Sequence, residues 1–140
     1  MCEYENVVDD VCDYFRNKIV ELENCGIDDY AIDPGFGFSK TLEQNYELLG
    51  GTEKLTKLGA PVLVGVSRKS MIYKYLGGTP EDALHGTTVL NTIALMKGAH
   101  ILRVHDVKAA REAILVTEKL KAMSEFSGSS APSEKPTHNS

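Results

Sequence analysis

No apolar run in this chain approaches the ~20 residues that a helix needs to span a bilayer. The sequence therefore predicts no membrane partner. Its opening residues include Glu3, Glu5, Asp9 and Asp10, which fits neither a secretory signal nor a transit peptide. Lys and Arg never cluster beyond a pair, and the net charge is -5. Sustained binding to a phosphate backbone needs a basic face, so nucleic acid is not an expected partner. Cysteine is scarce. Cys2, Cys12 and Cys25 form no C-x-x-C, and no Cys/His spacing resembles a zinc site. Three thiols cannot pair completely, which predicts free cysteines in a reducing cytoplasm. What remains is ordinary: 140 residues, 42% apolar and 25% charged, enough for one small soluble domain with one core.

Residues 7–23 carry Val7, Val11, Phe15, Ile19 and Leu22 at helical spacing. Asn6 with Asp9 forms a cap, and Gly26 a stop. Tyr30-Ala31-Ile32 is a short strand ending at Asp33-Pro34-Gly35. Thr41 and Gln44 predict a capping box for a second helix bearing Leu42, Tyr46 and Leu49, and Gly50-Gly51 breaks it. A shorter helical piece runs from Thr52 to Gly59. Pro61 to Val66 reads as a strand buried on both faces, followed by the turn Ser67-Arg68-Lys69-Ser70 and a helix ending at Gly77-Gly78. Thr79-Pro80-Glu81-Asp82 restarts a helix, and another spans about Thr87 to Lys97. His100 to Val104 is the third strand. Asp106 is expected to cap a last helix with Val107, Ala110, Ile114 and Leu120 on one side. From 124 to 140 the Ser- and Pro-rich composition predicts a disordered tail.

The order is a helix, then strand–helix units in an α/β pattern with a parallel sheet. A complete (β/α)8 barrel needs about 250 residues. The chain therefore reads as the last part of something larger, with a partial domain over 1–123.

Each expected strand ends in polar residues, and function gathers at the C-terminal ends of parallel strands. Asp33 follows the first strand and can accept N–H bonds from a ligand, or serve only as a turn residue. Gly35 and Gly37 permit close ligand approach, and Phe36 and Phe38 can stack on a flat ring. Ser39 stands where a P-loop would need glycine. Lys69 can donate to a ligand carbonyl or balance a leaving anion, or be a solvated surface lysine. Ser67 and Ser70 read most simply as helix caps. Arg103 and His105 stand two apart on a strand and so share a face. They suit a phosphate or diphosphate clamp, or else an ion pair with Asp106 or with carboxylates outside the chain.

The blocks AIDPGFGFSKTLEQNYELL, PVLVGVSRKSMI and GAHILRVHDV resemble, in order and spacing, three successive signatures of the dihydropteroate synthases. The resemblance covers about residues 4–120; Ser39 replaces a common glycine. It implies the C-terminal part of a (β/α)8 barrel, about three βα units behind a leading helix, and usually a homodimer. It implies condensation of 6-hydroxymethyl-7,8-dihydropterin diphosphate with 4-aminobenzoate to 7,8-dihydropteroate and diphosphate, assisted by magnesium. By matching position, Asp33 and Lys69 resemble pterin contacts, and Phe38 and Ser70 aminobenzoate contacts. Gly37 lies in the same substrate loop, and Arg103 and His105 resemble the diphosphate-binding pair. The metal-binding asparagine belongs to an N-terminal half whose blocks do not occur here, so no metal ligand is expected in this chain. Other readings are a methyltetrahydrofolate methyltransferase-like pterin barrel, and a non-catalytic part-barrel that associates with a complete subunit.

Overall fold

A computed structural model describes residues 6–37 and 40–128. Helix α1 spans Val7–Asn24, with the Asn6 side chain accepting the Asp9 N–H and two acidic residues in the first turn facing the helix dipole. Val7, Val8 and Cys12 are buried, and Val11, Phe15 and Ile19 pack half-buried beside them. Helix α2 (Leu42–Gly50) starts with the expected capping box, in which Thr41 and Gln44 exchange hydrogen bonds. Helix α3 (Thr52–Thr56) follows directly.

The sheet is small. Strand β1 (Leu63–Val64) pairs in parallel with β2 (Ile101–Leu102), and Ile32 adds a single parallel bridge to Val62 on the other flank. All three expected strands thus shrink, and the first is reduced to that bridge. Among the described residues the outer segments have a neighbour on one side only. At His100 the backbone N–H donates to the Val62 carbonyl at 2.9 Å, while the side-chain Nδ1 accepts the Val62 N–H at 3.0 Å. Val62, Val64 and Val66 are fully buried, each contributing about 1.5–3 kcal/mol. The opposite face is not covered to the same degree: Leu63 is half-buried and Ile101 is 41% exposed. The expectation of burial on both faces therefore holds for one face of β1 only.

Helix α4 (Ser70–Leu76) ends at Gly77, whose left-handed φ of 85° lets two amides reach the Tyr73 carbonyl. Tyr46 on α2 donates to the Met71 carbonyl and ties α2 to α4. Thr79 and Asp82 cap a single 3-10 turn over Pro80–Asp82 rather than a helix. Helix α5 then begins at Leu84, earlier than expected, and runs to Met96. Helix α6 spans Val107–Gly128, so residues 124–128 are helical and not tail; residues 129–140 lie outside the described residues. Its inner stripe is Ala110, Ala113 and Thr117, while Val107 and Leu120 are exposed. The 3.6-residue period places 110, 113 and 117 in line and leaves 107 and 120 to either side. Among the described residues no helix is long and apolar enough to cross a membrane.

Candidate functional site

The C-terminal ends of Ile32, β1 and β2 open on one edge, because parallel pairing aligns the three segments. Asp33 folds back on itself there, its Oδ1 accepting the Gly35 N–H at 3.0 Å. Its Oδ2 accepts from Arg103 Nη1 at 3.1 Å, across a sequence separation of 70. Both side chains are well exposed, 41% and 57%, so the pair contributes about 0–1 kcal/mol to stability and is free to exchange partners. The ion-pair partner of Arg103 is thus Asp33, from a distant loop, and not Asp106. Arg103 reaches Asp33 over Gly65, where a Cβ would stand 2.7 Å from Nη2.

Lys69 donates from Nζ to the Phe36 carbonyl at 2.8 Å, and Lys40 donates to the Gly35 carbonyl at 2.6 Å. Burial lowers the Lys69 pKa first, and the Arg103 guanidinium lowers it further; Asp33 opposes both. Lys69 is thus a partly desolvated amine and not a solvated surface lysine. Phe36 is buried in the core (4% exposed), so it cannot stack on a ligand as the sequence suggested. The backbone carbonyl rather than the ring faces the site. Phe38 lies outside the described residues. The Gly37 peptide is held on both sides by buried Asn45, through the N–H at 3.2 Å and the carbonyl at 3.4 Å. A pocket of about 370 Å³ lies between Gly37, Lys40 and Asn45 on one wall and Ser70, Met71 and Lys74 on the other. Gly37 and Ser70 both line it.

The β1–α4 and β2–α6 loops are joined twice. Ser67 Oγ lies 2.8 Å from His105 Nδ1 and accepts the His105 backbone N–H at 3.1 Å. Arg68 donates to both Asp106 oxygens, at 2.7 and 3.3 Å. The hydrogen bond to Asp106 raises the Arg68 pKa, and the same bond lowers that of Asp106. Asp106 therefore pairs with Arg68, not with Arg103, and its backbone carbonyl accepts the Ala110 N–H at the start of α6. Ser67 is not a cap, since α4 begins at Ser70 without a side-chain cap. Arg68 has φ of 57°, the only positive value at a non-glycine position among the described residues. Its amide donates to Thr87 Oγ1 on α5, which fixes that turn.

Sequence reading missed Arg68, Asn45 and Lys40. Lys40 and Arg68 carried a signal, in that each stands beside or within a recognised polar turn. Asn45 carried none, being one more polar residue in an amphipathic helix. The assembled edge holds Arg103, Lys69, Lys40 and His105 around the Asp33 carboxylate. That balance suits an anionic ligand that also offers N–H groups.

A family model described as a pterin binding enzyme matches residues 1–105. The chain belongs to the pterin-binding enzyme family. Among curated relatives of this pterin-binding chain, a dihydropteroate synthase of Streptococcus pyogenes is 41% identical over 121 residues, covering 84% of this chain and 46% of the relative. The chain thus spans about half the length of the curated relatives it matches. A Yersinia pestis dihydropteroate synthase solved with a sulfonamide drug superposes with TM-score 0.82 at 37% identity, over 86% of this chain and 45% of that one. A Thermus thermophilus dihydropteroate synthase in complex with 4-aminobenzoate gives TM-score 0.80 at 40% identity, over 86% and 49%.

Proposed function

We propose that this chain is the C-terminal half of a dihydropteroate synthase, and forms the last βα units of a (β/α)8 barrel. The reaction joins 6-hydroxymethyl-7,8-dihydropterin diphosphate to 4-aminobenzoate, releasing 7,8-dihydropteroate and diphosphate. The observation that carries this reading is the convergence of Asp33, Lys69, Arg103 and His105 on one strand edge beside the Gly37–Ser70 pocket.

Each group has a role suited to its surroundings. Asp33 accepts N–H bonds from the pterin, as it accepts the Gly35 N–H without ligand. Lys69 turns its amine from the Phe36 carbonyl to a pterin acceptor, and its partial desolvation strengthens that bond. Arg103 and His105 take the diphosphate. As the carbon–oxygen bond to diphosphate breaks, its electron pair leaves with the anion, and these donors stabilise the developing charge. The arylamine nitrogen then attacks the pterin methylene and loses a proton. Ser70 and Gly37 belong to the aminobenzoate side, the ligand that the Thermus thermophilus relative holds.

Among the described residues no group of three or more His, Cys, Asp or Glu gathers to hold a metal. Magnesium enters this proposal only through the half of the enzyme that the chain does not carry, and no step here is routed through it. A homodimer is part of the reading; exposed Val89, Ile93 and Met96 on α5 and Val116 and Leu120 on α6 support a subunit contact. Free Cys12 and Cys25 suit a cytoplasmic enzyme.

The test is calorimetry with inorganic diphosphate on a full-length synthase carrying these residues. Arg103→Ala and His105→Ala are each expected to weaken binding by about tenfold or more, from the loss of a charge-assisted hydrogen bond. If both folded variants bind as the wild type does, the anion site lies elsewhere and the reading fails.

A further inference from the structure

We infer that Ser67 is a positioning residue that fixes the ring of His105, placing its hydroxyl proton on Nδ1 so that Nε2–H faces outward as the donor to an anion. This rests on the reading of an anion site at the strand ends. The argument is a count of hydrogen bonds around one buried hydroxyl.

Ser67 is 7% exposed, and its Oγ meets two groups, both on His105. The backbone N–H of His105 can only donate, so it occupies one lone pair of Oγ. The second contact, to Nδ1 at 2.8 Å, admits either direction of donation. If Nδ1 carried the proton, both lone pairs of Oγ would be used. The hydroxyl proton would then have no acceptor inside a buried site, which costs about 1–3 kcal/mol. If the hydroxyl donates to Nδ1, every group is satisfied. The proton of the neutral ring must then lie on Nε2, on the far side from Ser67.

The loop is built to deliver this hydroxyl. Ser67 directly follows fully buried Val66, and the next residue, Arg68, takes the left-handed φ of 57°. Arg68 then binds Asp106, the neighbour of His105, through both carboxylate oxygens. Two loops held at 67–105 and 68–106 leave the imidazole little rotation. The charged neighbours of His105 in the chain are Arg103, paired with Asp33, and Asp106, paired with Arg68. The outward Nε2–H would add a neutral donor to the anion site proposed for Arg103. Arginine supplies the charge and histidine the direction.

The experiment reads the 15N signals of the His105 ring in a full-length synthase at about pH 8, where a free histidine is neutral. The wild type is expected to show protonated Nε2 and unprotonated Nδ1. Ser67→Ala should shift the ring to a mixture of tautomers and weaken inorganic diphosphate binding about tenfold, the worth of one directed hydrogen bond. Ser67→Thr, which keeps the hydroxyl, should restore the ring signature and the affinity together. A wild-type ring protonated on Nδ1 overturns the inference. So does a folded Ser67→Ala protein with unchanged ring signals and unchanged affinity. If Ser67→Ala does not fold, the wild-type spectrum and Ser67→Thr decide alone. A wild type that ignores diphosphate sinks the synthase reading instead, while its ring spectrum still decides what Ser67 does.

Discussion

Asp106 carries more of the local order than its place at a helix start suggests. Its carboxyl is held below the ordinary carboxylate range by the bond to Arg68. In that window the unfolded chain binds the extra proton, so stability rises with pH. The contribution is complete above the unfolded value near 3.8 and is lost as pH falls through the folded one. Acid unfolding should accordingly steepen in the wild type relative to Asp106→Asn, which has no proton to take up. Parallel acid limbs for the two proteins would show that the pair is idle. Arg103 and His105 were legible as a closely spaced pair, although β2 ends at Leu102 and strand alternation therefore fixes neither side chain. Their partners were not. Asp33 is 70 residues from Arg103, and Ser67 is 38 from His105. No local pattern records a contact across such a distance. Phe36 erred the other way: a ring in a glycine-rich loop looked available, and tertiary packing buried it.

Among the elements, helix starts were readable because a cap is a local exchange of hydrogen bonds. Asn6 and the Thr41–Gln44 box formed as written. Strand lengths were not, because a ladder needs a second strand and the sequence of one does not say how much of the other is present. The stripe of α6 shifted to Ala110, Ala113 and Thr117, small residues that permit close approach, and the larger Val107 and Leu120 stayed outside. The α4–α5 contact offers a test of such close approach. A Cβ at Gly86 would lie 2.5 Å from Cγ2 of Ile72, itself 1% exposed and β-branched. Gly86→Ala gains about 1 kcal/mol of helix propensity but overpacks that seam by about 1–3 kcal/mol. A net loss of stability is expected in denaturant melts, and a stabilised variant would mean that α5 slides without cost.

For the molecule as a whole, the face of the sheet opposite the buried valines carries exposed Ile101, Arg103 just beyond β2 is also open, and both flanks of the three-segment sheet lack a further strand among the described residues. The proposed pterin contacts stand at that open rim, so a bound pterin would be walled on one side only. Purified alone, the 140-residue chain is expected to form no dihydropteroate, since half of the relatives' length is absent. Product above the uncatalysed background would refute this. In a complete synthase, Lys69→Ala should raise KM for the pterin diphosphate and lower kcat while leaving the melting temperature unchanged. The Lys69 amine donates to one backbone carbonyl, that of Phe36. Kinetics indistinguishable from wild type would remove Lys69 from the site.

Gly65 separates two things that most buried positions confound. Its missing Cβ leaves room for the tip of Arg103, a long side chain that can swing aside. Any missense change there adds that carbon, whatever the codon. For Gly65→Ala the three nearest atoms to that carbon all belong to the Arg103 side chain, so this variant is expected to be expressed and to fold like its parent. What it would lose is the route by which Arg103 reaches Asp33. In a complete synthase, sorting for abundance would keep Gly65→Ala, and sorting for the proposed synthase activity would discard it.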